Sequence, residues 1–155
     1  MSGERTARHD YADEIGVYFA DFGLPPIPGR ILGWLMVCEP PHQSPEQLAE
    51  ALDISRGSVS MAMRMLQSNN AVERVAVAGS RATHWRLRPG FWLEEAAAKA
   101  KQAREWIKKA DRGLDLLAEA PSESRRRLEE AKEMYTFLAD QYERIESLWH
   151  EQRKQ

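Results

Sequence analysis

At 155 residues, with 43% apolar and 30% charged residues, the chain carries enough hydrophobic material for one packed domain, or for a small domain with a helical extension. No run of about 18 apolar residues exists, and residues 1–10 lack the apolar stretch of a signal peptide, so a membrane span is excluded and a cytoplasmic protein is expected. The net charge of −2 hides an uneven distribution: residues 1–54 hold nine acids and three bases, residues 91–155 hold fourteen and thirteen, and residues 55–90 set six arginines against Glu73 alone.

Residues 8–22 place Tyr11, Ile15, Tyr18 and Phe22 at helical spacing, with Phe19 widening the stripe. Gly23, Pro25 and Pro26 stop this helix, since proline donates no backbone hydrogen bond. From Ile31 to Cys38 the sequence is apolar nearly all round, which predicts the most buried helix, ended by Pro40 and Pro41. A redox-sensing thiol needs exposure and positive charge nearby; Cys38 has apolar neighbours and Glu39, and is expected to be buried and inert. A single cysteine forms no intrachain disulfide, and His9, His42, His84 and His150 lack the short spacings of a metal site. Neither a metal nor another cofactor is expected.

Ser44 opens the next helix. Its hydroxyl is placed to accept from first-turn amides, Pro45 suits the first helical position, and Gln47 completes a Ser-x-x-Gln capping box. Leu48, Ala49 and Leu52 face inward, with Ala49 small enough for a close helix crossing. Asp53 then occupies a left-handed turn position more usual for glycine, a conformation aspartate tolerates at some cost. Ile54 plugs the core below the turn, and Ser55 caps a second helix spanning about residues 55–69. On that helix Val59, Ala62, Met63 and Leu66 share one arc; Gly57, Ser60, Met61, Arg64 and Ser68 share the opposite one. Residues 71–77, AVERVAV, alternate as a strand, residues 78–82 make a hairpin tip with Arg81, and residues 83–88 return. His84 is expected on the strand surface.

Pro89 and Gly90 mark a boundary. Beyond them Leu93, Ala96, Ala100, Ala103, Ile107, Ala110, Leu114 and Leu117 form one three-four seam. After Pro121, Leu128, Ala131, Tyr135, Leu138, Tyr142, Ile145 and Trp149 form a second. Trp106, Met134, Phe137 and Leu148 lie beside the seams. A lone helix pair leaves them exposed, which favours a dimer over a compact monomeric cap.

Helix, tight turn, helix and basic hairpin is the order of a winged helix-turn-helix. The expected fold is therefore mainly α with a small β-hairpin. A reader at residues 27–90 is flanked by dimerisation helices at residues 1–26 and 91–155. A solvated helix without a partner normally carries lysine and glutamate outside; here small residues and one arginine leave room to approach a groove floor. Ser55, Arg56, Gly57, Ser58, Ser60, Met61 and Arg64 of the second helix are the candidate DNA contacts, with Arg81 and Arg86 of a wing at about residues 77–83. Arg64 suits guanine or a phosphate, Met61 a thymine methyl, and the helix N-terminal amides a phosphate oxygen. Ser58 is equally explained as a structural hydroxyl in the first turn.

A terminal helix, a buried helix, this reader and long carboxyl-terminal helices together resemble the MarR superfamily of regulators. Within it, residues 23–67 are similar to the GbsR-like branch, with its Pro-x-x-Gly-Arg-Ile-Leu-Gly opening and Ser-Arg-Gly-x-x-Ser helix start. Pro26, Gly29, Arg30, Ile31, Leu32 and Gly33 match the first motif; Ser55, Arg56, Gly57 and Ser60 match the second. The resemblance covers residues 10–90, and beyond them only helical character is shared. It implies a homodimer on pseudo-palindromic operators, acting as a repressor in many relatives and releasing DNA in some when a small molecule binds between reader and dimer helices.

The expected function is thus a dimeric, sequence-specific regulator that binds double-stranded DNA. The alternative is a winged-helix module whose exposed face binds another protein. No nucleophile–base pair, phosphate loop or carboxylate dyad points to an enzyme. Trp34, Trp92, Trp106 and Tyr135 are candidate walls for a small-molecule effector, since aromatic faces attract quaternary ammonium groups; aromatics at helical spacing are far more often core than pocket.

Overall fold

The computed structural model describes residues 2–154, with side chains from residue 7 onward. In chain order it holds α1 (Ser2–Ala20), α2 (Pro26–Val37), α3 (Pro45–Leu52), α4 (Arg56–Ser68), β1 (Val72–Val75), β2 (His84–Leu87), α5 (Phe91–Leu116) and α6 (Ser122–Arg153). Met1 and Gln155, the outermost residues of the expected terminal segments, lie outside the described residues. Among the described residues, no helix is long and apolar enough to cross a membrane. The chain divides into two compact units, Met1–Phe91 and Trp92–Gln155.

The first unit is built around α2. Its all-round apolar character places Ile31, Leu32, Trp34 and Leu35 in one buried cluster with Leu48 and Leu52 of α3, with Val59, Ala62, Met63 and Leu66 of α4, and with Val72 and Trp85 of the hairpin. Cys38 closes the end of α2. It is buried, and burial pushes its thiol up to about 11. Thiol reagents attack the thiolate, so at neutral pH Cys38 is expected to be labelled only as fast as the protein unfolds. Rapid stoichiometric alkylation of the folded protein, read by mass spectrometry, contradicts this.

α1 begins at Ser2, earlier than its aromatic stripe indicates, and packs on α2 with a different face from the expected one. Ala12 and Gly16 are buried and Ile15 and Phe19 half-buried, whereas Tyr11, Tyr18 and Phe22 are 36%, 56% and 69% exposed. The cause lies in the glycines. A Cβ on Gly29 would stand 3.0 Å from the Gly16 Cα, and one on Gly33 would stand 2.7 Å from the Ile15 Cβ and 3.0 Å from the Ala12 Cα. Contact this close between backbones leaves no room for aromatic rings, which are left on the outer side of α1. α1 belongs to the same compact unit as α2, α3, α4 and the hairpin.

In the second unit the alanine-rich seam of α5 lies along α6. Ala100, Ala103, Ala110 and Ala139 are buried, and Leu93, Ile107, Leu128, Leu138 and Ile145 are half-buried. The Arg104 guanidinium joins the helices, reaching Glu143 at 2.8 Å and Asp140 at 2.7 Å, and holds the Glu143 carboxyl below its ordinary range. Lys132 meets Asp111 at 2.5 Å. Two seam positions depart from expectation: Tyr135 and Trp149 stay 39% and 46% exposed. Trp106, Met134, Phe137 and Leu148, beside the seams, are exposed as well.

Candidate nucleic-acid interface

The turn between α3 and α4 is set by local chemistry. The Ser44 hydroxyl accepts the Gln47 amide at 3.2 Å, while the Gln47 carboxamide accepts the Ser44 amide at 2.8 Å; both halves of the capping box are present. Asp53 adopts φ 51° and ψ 53°, the left-handed conformation its position required. Ser55 then caps α4. Its hydroxyl oxygen accepts the Ser58 amide at 3.0 Å and its hydroxyl hydrogen is donated to the Ser58 oxygen at 2.9 Å. Ser58, half-buried, is thus engaged in the cap, the structural role that competed with base contact.

Both expected faces of α4 are present. Val59, Ala62, Met63 and Leu66 are buried in the core. Arg56, Gly57, Ser60, Met61 and Arg64 are exposed, Met61 by 68%. A Cβ at Gly57 would meet only the Ser55 hydroxyl, at 3.8 Å. Packing does not demand glycine there. Its effect is to lower the outer profile of the first turn, which is what close approach to a groove floor needs. α4 ends where expected, with Asn69 as its C-cap, but the form of its closure was not anticipated: Asn70 takes a left-handed φ of 57°, and the Ala71 amide closes back on the Leu66 carbonyl at 2.9 Å. The consecutive asparagines 69 and 70 are the signal that could have found it.

β1 and β2 pair antiparallel with Val72 opposite Leu87, Glu73 opposite Arg86, Arg74 opposite Trp85 and Val75 opposite His84. Gln43 adds a bridge at the hairpin edge, exchanging two 2.8 Å backbone hydrogen bonds with Trp85 and tying the α2–α3 loop to the wing. This corrects the position of His84. It is only 8% exposed, because the loop brings His42 face to face with it at 5.3 Å. Gly79, at φ 79°, makes the hairpin tip, and Arg81 stands exposed beside it.

The candidate arginines fall into distinct electrostatic states. Arg86 is bound across the hairpin by Glu73, at 2.7–2.8 Å, so its charge is largely answered within the protein. Arg74, which sequence reasoning passed over, is exposed with its guanidinium 5.2 Å from the Trp85 ring centroid. Arg56, Arg64 and Arg81 form no ion pair among the described residues. The aromatic candidates divide as well. Trp34 is buried in the first unit against His9, at 4.8 Å; Trp106 and Tyr135 meet at 5.6 Å in the second unit, where Trp92 is exposed at the start of α5. Among the described residues, no group of three or more His, Cys, Asp or Glu side chains is placed to hold a metal ion.

Comparison with known proteins agrees with this architecture. The sequence profile of MmpR5-like MarR family transcriptional regulators matches residues 90–152, the helical part beyond the wing. The HTH-type transcriptional regulator MmpR5 of Mycobacterium tuberculosis is 39% identical over 129 residues, covering 83% of this chain and 78% of that protein. A crystal structure of a transcriptional regulator superposes with a TM-score of 0.76 at 34% identity, covering 94% of this chain and 99% of the other. These matches name the MmpR5-like group, and not the GbsR-like branch to which Pro26, Gly29, Arg30 and Gly33 pointed. Winged hairpin, capped second helix of the helix-turn-helix and long terminal helices, together with these relatives, establish that the chain belongs to the MarR family of transcriptional regulators.

Proposed function

We propose that the protein is a homodimeric repressor that binds double-stranded DNA in a sequence-specific manner. In this reading α4 enters the major groove and residues 77–83 lie near the minor groove. The observation that carries it is the pairing of a low, lightly decorated α4 face with arginines that have no ion partner among the described residues, Arg56, Arg64 and Arg81. Phosphates are the ready counter-charge for such a surface, and Ser60, Met61 and Arg64 are the side chains that face base edges. One reading helix covers few base pairs, so two copies spaced by about one DNA turn are needed for useful discrimination. The exposed Tyr18 and Phe22 of α1, and Phe137 and Leu148 of α6, supply apolar surface that a second copy would cover. Occupancy of an operator then excludes the transcription machinery. Nothing in this scheme calls on bond-making chemistry.

Arg81→Ala tests the wing. Removing one arginine–phosphate interaction flattens the plot of log affinity against log salt by about 0.9. Binding to a random duplex at several salt concentrations should show that change together with weaker binding. An unaltered slope removes Arg81 from the interface. For Arg86→Ala, whose charge Glu73 already answers, a smaller slope change is expected.

A further inference from the structure

The end of α3 is closed in part by groups that come from outside the helix-turn-helix. A helix leaves its last four carbonyls without intrahelical partners. Here the Asp53 and Ile54 amides take the carbonyls of Ala49 and Glu50. The next two are reached from α1 and α2: His9 of α1 hydrogen-bonds the Ala51 carbonyl through Nε2, and the Arg30 guanidinium of α2 donates through an Nη to the Leu52 carbonyl at 3.2 Å. The same guanidinium donates through Nε to Asp13 of α1 at 2.5 Å. Gly16 makes this possible, because a Cβ there would stand 2.9 Å from the Arg30 Cγ. The arginine stem crosses α1 where α1 has no side chain. The His9 ring is itself held against Trp34.

We infer that Arg30 and His9 are positioning residues for the reading helix: they latch the turn from which α4 starts to α1, so that a displacement of α1 is delivered to α4. Asp53 and Ile54 stand directly between the latched carbonyls and the Ser55 cap, so no flexible link intervenes. An arginine suits the task because its planar fork serves a carboxylate and a carbonyl at once, which a lysine does not. The inference rests on the DNA-reading role proposed above. It goes beyond that role in making specificity depend on residues that touch no DNA.

The test compares the parent chain with Arg30→Gln, Asp13→Asn and Arg30→Lys at a temperature where circular dichroism shows all four folded. Two quantities are read: hydrogen exchange at the Asp53 and Ile54 amides, and affinity for a selected operator against a random duplex. Arg30→Gln should speed exchange at these two amides and weaken operator binding roughly tenfold, as expected for loss of hydrogen bonds from a charged group. Random-duplex affinity and its salt slope should stay unchanged. Asp13→Asn should give part of this effect, and Arg30→Lys should lie between parent and Arg30→Gln. Unchanged exchange at Asp53 and Ile54 overturns the latch. So does faster exchange with operator affinity intact, or an equal loss on operator and random duplex with faster exchange throughout the first unit. Should the parent chain bind no duplex, the DNA reading fails on its own, and the exchange measurement alone judges the latch.

Discussion

Gly33→Ala is expected to destabilise the protein by about 3 kcal/mol, at the upper end of what inserting one methyl group into a packed site costs. The new Cβ would stand 2.7 Å from the Ile15 Cβ and 3.0 Å from the Ala12 Cα. The second of these is backbone, so the conflict is not relieved by a side-chain rotation, and α1 has to move away from α2. Thermal unfolding followed by circular dichroism should show the midpoint fall by roughly 10 °C. An unchanged midpoint means that the two helices do not touch at this point. Gly57→Ala serves as the counterpart: there the Cβ has space, and alanine is the better helix former by up to about 1 kcal/mol. Stability should hold or rise. Packing thus requires glycine at position 33 and does not require it at position 57.

Arg64→Ala is expected to weaken operator binding by about 1–3 kcal/mol, roughly 5- to 150-fold, if the guanidinium reads a base. It is exposed on the outer face of α4, one turn beyond Ser60, with no ion partner among the described residues. The substitution takes away an exposed side chain that supports nothing in the fold, so the thermal midpoint should not change. Measuring affinity for the operator and for variants at each position separates the possible roles. Weakening confined to one base-pair position, with discrimination relaxed there, identifies a base contact. Uniform weakening with a flatter salt dependence identifies a phosphate contact. Retention of full affinity for every duplex takes Arg64 out of the interface.

The helix-turn-helix was legible because its determinants are local. Ser44 and Gln47 form their capping box, Asp53 takes the left-handed turn, and Ser55 caps α4, since each answers to neighbours within a few residues. The inward and outward faces of α4 followed from helical periodicity alone. Errors arose where distant segments decide. The aromatics of α1 gave a plausible stripe, yet Gly16, Gly29 and Gly33 placed the contact on another face, and no periodicity shows which of two apolar faces meets a glycine row. His84 looked like a surface residue until Gln43 and His42 came in from a loop some forty positions earlier. Arg30 carried a recognisable motif without a reason; the reason is two partners, Asp13 and Leu52, on different helices. The carboxyl-terminal helices told only of a heptad seam, although that is where the MmpR5-like profile matches.

Selection of bound duplexes from a random DNA pool, at low salt and with purified protein, tests the central claim most directly, because it measures binding, sequence preference and symmetry together. Enrichment of two inverted half-sites whose centres lie about 10 base pairs, or one DNA turn, apart is the result predicted for paired α4 helices. Recovery of no duplex above background, or of a single unrepeated half-site by a protein that sediments as a monomer, contradicts the account.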